Sequence, residues 1–443
     1  MPDDPGPALG VRGTAWSPET RLYTDGVVAG VDGAPVAVPP HSRVRRVRGT
    51  ALAAGGGPPG AAPDTPEARG RERARYARAR VPGTGTRWAE MAGTALVDLL
   101  ALLHPNGALV AAASPYWRYV WPRDAAFGAA ALCACGLPGD ALRVLRYVAG
   151  VQEADGTWQA RYLPDGSGRV PDGRGTQLDG LGWTLWAAWV WAGTPGAHGA
   201  GRAALAGPLR AAAGALCAAV DPVTGLPRPS PDYWEQETDR VTLGTAAPLL
   251  LGARCAADLL PRLGDPRAAE RCAAAAGALA AGIGRHFAPR GFPRAVPAPE
   301  GGGDGPGWAG RDASVAFLLP PFAPAEPGAV GAWRRATGEL WLANGGVRPG
   351  ADWPDTATAW TPQMSLFALT AACLGERGPA EERLDWLAAR RTRLGALPEK
   401  VTAAGRPAAV APLGLTAATV LLTLAALDGR PLPMPPVPAS AGG

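Results

Sequence analysis

Leu243-Gly244-Thr245-Ala246-Ala247-Pro248-Leu249-Leu250-Leu251 and the stretch 415–427 are apolar on every side. A helix at the surface of a globular protein keeps a polar face, so helices of this composition belong to a layer buried on both sides. Pro248 removes a backbone donor and crowds the preceding turn, and is expected to kink or shorten its helix.

Working outward, periodicity and punctuation place helices near 86–103, 124–135, 138–152, 177–192, 200–219, 240–258, 266–287, 312–319, 325–342, 357–375, 379–394 and 412–427. The connections alternate in length. Those after the odd helices are long, near 104–123, 153–176, 220–239, 288–311, 343–356 and 395–411; those after the even helices are short or terminal. Six hairpins closed into a ring satisfy this alternation, which predicts an all-α (α/α)6 toroid over 85–430. Odd helices then lie outside, even helices inside, and the long connections gather at one end. Long structured loops in a compact domain usually carry function. Residues 1–84 form an N-terminal extension with short strands around Val27-Val28-Ala29-Gly30-Val31 and Val36-Ala37-Val38, and a Gly/Pro/Ala-rich linker at 53–68. The Pro- and Ala-rich tail 431–443 is expected to be disordered.

Composition narrows the function. The 16 tryptophans outnumber the 7 tyrosines and 6 phenylalanines together. A buried indole N–H needs a partner, so core packing alone does not explain the excess; a groove that stacks sugar rings does. The net charge of +5 comes almost entirely from arginine, with Lys400 the single lysine. The basic runs at Arg45, Arg46 and Arg48 and from Arg69 to Arg80 accompany no nucleic-acid-binding motif, so a nucleic-acid partner is not expected. The start Met1 to Gly10 has no apolar core of a secretion signal, and Leu413 to Leu427 comes closest to a membrane span but reads as a buried helix. Cys133, Cys217, Cys255, Cys272 and Cys373 sit in Ala-rich helical stretches without disulfide or metal spacing, as expected of thiols in a reducing cytoplasm. His41, His104, His198 and His286 are scattered, so neither a metal nor a cofactor is indicated.

Four clusters fall in the long connections. Tyr116-Trp117-Arg118-Tyr119-Val120-Trp121-Pro122-Arg123-Asp124 offers aromatic faces beside a charged pair; Asp124 also suits a helix N-cap. Trp158, Arg161 and Tyr162, then Gln177 to Trp183, combine rings with polar groups, although Asp165 and Asp179 equally suit turns and caps. In Asp232-Tyr233-Trp234-Glu235-Gln236-Glu237 an acid beside a tryptophan precedes an apolar helix, and desolvation there would raise a carboxyl pKa as a general acid requires; acids at a helix start are favoured in any case. Leu397-Pro398-Glu399-Lys400-Val401 presents a loop glutamate beside a cation that would help to keep it ionised.

Taken together, these clusters resemble glycoside hydrolase family 15, the glucoamylase-like family, and its bacterial branch in particular, over about 85–427. Tyr119-Val120-Trp121-Pro122-Arg123-Asp124 matches the family's Arg-Asp sugar-binding motif, Trp234-Glu235 its general acid, and Glu399 its base. Gly345-Gly346-Val347-Arg348 with Trp353-Pro354 looks like a shortened form of a further sugar-binding loop. Two departures stand out: residues 1–84 are too short for the β-sandwich of bacterial relatives, and Leu415 stands where the family usually has a tryptophan. The resemblance implies an inverting hydrolase with Glu235 as acid and Glu399 as base, acting on an α-linked glucose oligosaccharide or disaccharide. Tyr119, Trp121, Arg123, Asp124, Trp158, Arg161, Trp183, Trp234 and Arg348 would form the sugar site. Release of glucose from the non-reducing end of short α-glucans is the leading expectation and α,α-trehalase the alternative. A non-catalytic sugar-binding toroid would keep the aromatics and lose one glutamate. A terpene-cyclising toroid would need an Asp-rich metal cluster that the sequence does not show.

Overall fold

The computed structural model describes residues 21–297 and 310–438; readings that fall on 1–20, 298–309 and 439–443 lie outside the described residues. The described helices are α1 (Pro66–Ala77), α2 (Ala89–Ala101), α3 (Pro122–Ala134), α4 (Pro138–Gly150), α5 (Asp179–Gly193), α6 (Gly199–Ala219), α7 (Leu243–Leu259), α8 (Pro266–His286), α9 (Pro327–Glu339), α10 (Thr361–Cys373), α11 (Arg377–Ala388) and α12 (Gly414–Leu427). Short strands lie between them: β1 (Gly26–Ala29), β2 (Pro35–Val38), β3 (Arg45–Arg46), β4 (Ala53–Ala54), β5 (Arg240–Thr242), β6 (Ala295–Pro297), β7 (Ala359–Trp360), β8 (Lys400–Val401) and β9 (Pro407–Ala408).

The inner layer closes on itself. α3 packs on α5, α5 on α7, α7 on a 3-10 segment (Ala313–Leu318), that segment on α10, α10 on α12, and α12 on α3. Each inner element carries an outer helix: α4 on α3, α6 on α5, α8 on α7, α9 on the 3-10 segment, α11 on α10 and α2 on α12. This is the (α/α)6 toroid. Composition explains the layering. All residues of α5 from Asp179 to Ala192 are buried, whereas α8 buries only the stripe Ala268, Ala269, Cys272, Ala275, Ala276, Leu279, Gly282 and Ile283. Each large apolar side chain buried in the ring contributes roughly 1.5–3 kcal/mol. Helix starts follow side-chain chemistry: Thr242 Oγ1 accepts from Thr245 N–H at 3.2 Å at the start of α7, and Asp265 accepts from Ala268 N–H at 3.0 Å ahead of Pro266 in α8. At Gly182 a Cβ would lie 2.0 Å from the Pro248 carbonyl oxygen, so glycine is what lets α5 and α7 approach so closely.

Four expectations need correction. Of the two effects expected of Pro248, shortening does not occur: α7 runs on to Leu259, and one lost hydrogen bond is outweighed by burial on all sides. The eighth ring element is a 3-10 segment rather than an α-helix, because Pro320 and Pro321 follow at once and bar α-helical continuation. The stretch 53–68 is not a linker: it holds β4, a bridge from Ala61 to Gly30, and Thr65, whose hydroxyl accepts from Ala68 N–H at 3.2 Å to cap α1. Finally, the stretch long and apolar enough to cross a membrane is Leu243–Leu263 rather than 413–427, and 89% of its apolar window is buried in the ring.

The N-terminal extension is stitched to the toroid. The Arg46 guanidinium binds the Val27 carbonyl and pairs with Asp98 of α2, and both partners are buried. Burial pushes the Asp98 carboxyl up while Arg46 pulls it down; removing either partner from such a pair costs about 3–5 kcal/mol. Tyr23 N–H donates to Ala409 O at 2.7 Å and Ala411 N–H to Thr24 Oγ1 at 3.1 Å, so the extension borders the loop that carries Glu399. Beyond α12 the chain 431–438 has no regular structure, although Leu432 packs on the core.

Candidate active site

The connections entering α3, α5, α7, α10 and α12 bring their polar residues to one end of the ring. Arg123, in the first turn of α3, is the hub. Its guanidinium donates to Asp179 Oδ2 at 2.8 Å and Gln177 Oε1 at 3.3 Å, and lies 3.9 Å from Asp124 Oδ2 and 4.0 Å from Glu235 Oε1. Asp124 is not the N-cap of α3; Trp121 holds that position and Asp124 sits inside the first turn. Burial raises the Asp124 carboxyl to about 6; Arg123 opposes the rise, and the charges of Asp179 and Glu399 add to it.

Glu235 projects from a turn in which its own N–H donates to Asp232 O at 2.8 Å, and its φ of 56° lies in the left-handed region. A non-glycine residue there is strained, and such strain clusters at functional positions. Its Oε1 accepts from the Trp121 indole N–H, and Arg174 pairs with Oε2. Glu237, two residues on, is exposed.

A buried charge cluster holds that turn. Arg294 donates to Asp232 Oδ1 at 3.0 Å, lies 3.7 Å from Asp312 Oδ2 and places its guanidinium 3.9 Å from the Trp234 ring centroid. The Tyr233 hydroxyl donates to Asp312 Oδ2 at 2.7 Å. Burial raises Asp312 to about 6 against the pull of Arg294.

Glu399 is fixed through its backbone: its N–H donates to Val410 O at 2.8 Å and its carbonyl accepts from Thr361 N–H at 3.0 Å. The Trp117 indole N–H donates to Oε1 at 3.4 Å. The residue as a whole is half-buried, but Oε2 is sealed from bulk solvent and has no protein partner. Burial therefore pushes its carboxyl above the usual glutamate range, outweighing Lys400 and Trp117, which pull it down. Lys400 does favour the ionised form, as its place beside Glu399 suggests, but burial is the larger effect. The Lys400 ammonium lies 4.2 Å from the Trp360 ring centroid.

The structure thus gathers Tyr119, Trp121, Arg123, Asp124, Arg161, Glu235 and Glu399. Arg161 stacks its guanidinium over Tyr119 at 4.4 Å and Trp121 at 5.1 Å and pairs with Asp172. Arg348 stands on the loop that carries Trp353 and acts electrostatically on Asp352. Trp353 packs edge-on to Trp234, centroids 4.9 Å apart, which makes Trp234 a buried support rather than an exposed platform. Two expected sugar contacts belong to the core. Trp158 is buried with its indole N–H on Val148 O at 2.8 Å, and Trp183 is buried among Phe127, Trp186, Phe317 and Phe322. Trp183 turns into the inner layer because α5 is apolar all round, whereas Trp158, in the connection before α5, turns to α4. Asp172, Arg174, Arg294 and Asp312 were not among the expected site residues, and Trp117 entered only as a member of the aromatic cluster 116–124. The one available sign was Gly173-Arg174-Gly175, an arginine between glycines in a long connection.

No known family model matches the chain. An uncharacterized glycosyl hydrolase of Methanocaldococcus jannaschii is 36% identical over 95 residues, which are 21% of this chain and only 15% of that protein. A bacterial glucoamylase solved with acarbose superposes with a TM-score of 0.65 at 16% identity, over 82% of this chain and 58% of that one. The fold is the glucoamylase-type toroid. A wild-type glycosidase gives a TM-score of 0.63 at 21% identity over 77% of this chain and 97% of its own. The family 15 glucoamylase of Hypocrea jecorina gives 0.59 at 14%, over 75% and 68%.

Proposed function

We propose that this chain is an inverting glycoside hydrolase of the glucoamylase-like family 15 that releases glucose from the non-reducing end of short α-glucans. One observation carries the reading. Two carboxylates from distant loops stand at one end of the ring, one held through Oε1 by Trp121 and faced by Arg123, the other presenting a sealed Oε2 without a protein partner. The toroid shared with glucoamylases and the segment shared with a glycosyl hydrolase support it.

In this mechanism Glu235 donates a proton to the glycosidic oxygen while Glu399 takes one from a water that attacks the anomeric carbon on the opposite face. A raised carboxyl makes Glu399 the stronger base, and its free Oε2 is the oxygen positioned to accept that proton. Asp124 and Arg123 hold hydroxyls of the terminal sugar, with Tyr119 and Trp121 as apolar walls. No metal or organic cofactor enters the scheme. The six cysteines are free, which fits the cytoplasmic location we assign.

The test is product analysis by proton NMR with maltose, isomaltose, maltotriose and trehalose. Early appearance of β-glucose from the maltose series supports the reading. Cleavage of trehalose alone replaces it with a trehalase. Binding without cleavage replaces it with a sugar-binding protein.

A further inference from the structure

Arg174 occupies a place that the mechanism above does not explain. It comes from the connection between α4 and α5, on Gly173-Arg174-Gly175, with Gly175 at φ 76° and its carbonyl accepting from Ala160 N–H at 2.9 Å. Its guanidinium pairs with Glu235 Oε2 through Nη1 and with Asp172 Oδ2 through Nε at 3.0 Å. Asp172 is shared with Arg161, so two arginines compete for one aspartate. Both Arg174 and Glu235 are largely buried, their side chains 17% and 11% exposed.

The two oxygens of Glu235 are not equivalent. Oε1 is engaged by the Trp121 indole and faced by Arg123, behind which stand Asp124 and Asp179. Oε2 is therefore the oxygen able to deliver a proton, and a glycosidic oxygen must reach it. Arg174 lies on that side. A guanidinium on a carboxylate also favours its charged form, the wrong form for an acid.

We propose that Arg174 is a displaceable cap on Glu235: it keeps the carboxylate charged in the empty site and yields Oε2 to the leaving-group sugar when substrate binds. This rests on the reading of Glu235 as the acid. On displacement Arg174 stays on Asp172, and its guanidinium is placed to donate to hydroxyls of the departing sugar. Glu235, stripped of one cation, takes a proton from solvent before passing it to the glycosidic oxygen. Arg174 bridges Glu235 and Asp172, so it can leave one carboxylate while it keeps the other.

The experiment uses the full chain as wild type, Arg174→Gln and Asp172→Asn. Carboxyl 13C NMR follows the Glu235 signal, assigned by its loss in Glu235→Gln, across pH without sugar. Arg174→Gln should move that titration up by about one pH unit; Asp172→Asn, which leaves Arg174 only Glu235 to pair with, should move it down. In kinetics, the alkaline limb of kcat/KM, which reports free enzyme, should shift with the NMR midpoint. The limb of kcat, which reports the complex, should stay. An unmoved titration in both variants overturns the cap, as does a kcat limb that shifts as far as that of kcat/KM. If the titrations move as expected but no α-glucoside is cleaved, the pairing of Arg174 with Glu235 stands while the proposed function, and with it the displacement by a leaving-group sugar, fails. Wild-type cleavage with unmoved titrations sinks the cap alone.

Discussion

Arg294 gives a direct way to weigh the buried electrostatics. Replacing it by methionine keeps a long apolar side chain and both backbone hydrogen bonds, Arg294 N–H to Gly310 O and Leu243 N–H to Arg294 O, each 2.8 Å. What disappears is the single guanidinium between Asp232 and Asp312, all three side chains being at most 1% exposed. Stranding a buried carboxylate in this way costs about 3–5 kcal/mol. The cost depends on pH with a definite sign. Asp312 already titrates near 6 with Arg294 present, so without it the carboxyl rises further and is neutral in mildly acid solution. Arg294→Met should therefore lose most of that free energy at pH 8 and distinctly less at pH 5. Urea unfolding at the two pH values reads the difference in midpoint at constant m. Asp312→Asn in the Arg294→Met background should restore part of the loss at pH 8 by removing one stranded charge. Because Asp232 also anchors the strained turn of Glu235, kcat/KM should fall even where the protein remains folded. A loss below about 1 kcal/mol at both pH values, or a larger loss at pH 5, refutes the reasoning.

Three further outcomes are expected. Glu235→Gln should cripple maltose hydrolysis but spare α-glucosyl fluoride, whose leaving group needs little protonation; Glu399→Gln should abolish both, and the exposed Glu237→Gln should change neither. Asp124→Asn should lower kcat/KM by two or more decades in steady-state assays. Its effect on stability should have the opposite sign: the Asp124 contribution is present below its unfolded value of 3.8 and lost as pH rises through about 6, so in unfolding measurements the variant should gain on wild type between pH 4 and 8 by up to about 3 kcal/mol. Trp117→Phe removes an indole N–H that holds the Glu399 carboxyl down. The acidic limb of kcat/KM should move to higher pH, and an unmoved limb would remove Trp117 from the base site.

The sequence by itself determined the ring. Apolar residues on all sides of 243–251 and 415–427, set against one-sided stripes elsewhere, separate an inner from an outer layer, because an element covered on both faces can bury apolar groups all round. The alternation of long and short connections then fixed which end carries the polar loops. Charged and aromatic residues crowded into the long connections stand out locally, but it is the resemblance to family 15 that singles out Glu235, Glu399, Arg123 and Asp124 among them. Helix α1 escaped because only Ala68 on it is buried, leaving no periodicity to read. Trp158 and Trp183 were misassigned because a tryptophan in a string of letters does not show which way its ring points. Tertiary structure alone decided the partnerships: Arg294 between Asp232 and Asp312, Trp117 on Glu399, Arg174 over Glu235. Those pairs join residues far apart in the chain, and the electrostatic character of each carboxyl depends on desolvation and on the nearest opposite charge, two quantities that exist only once the ring has closed.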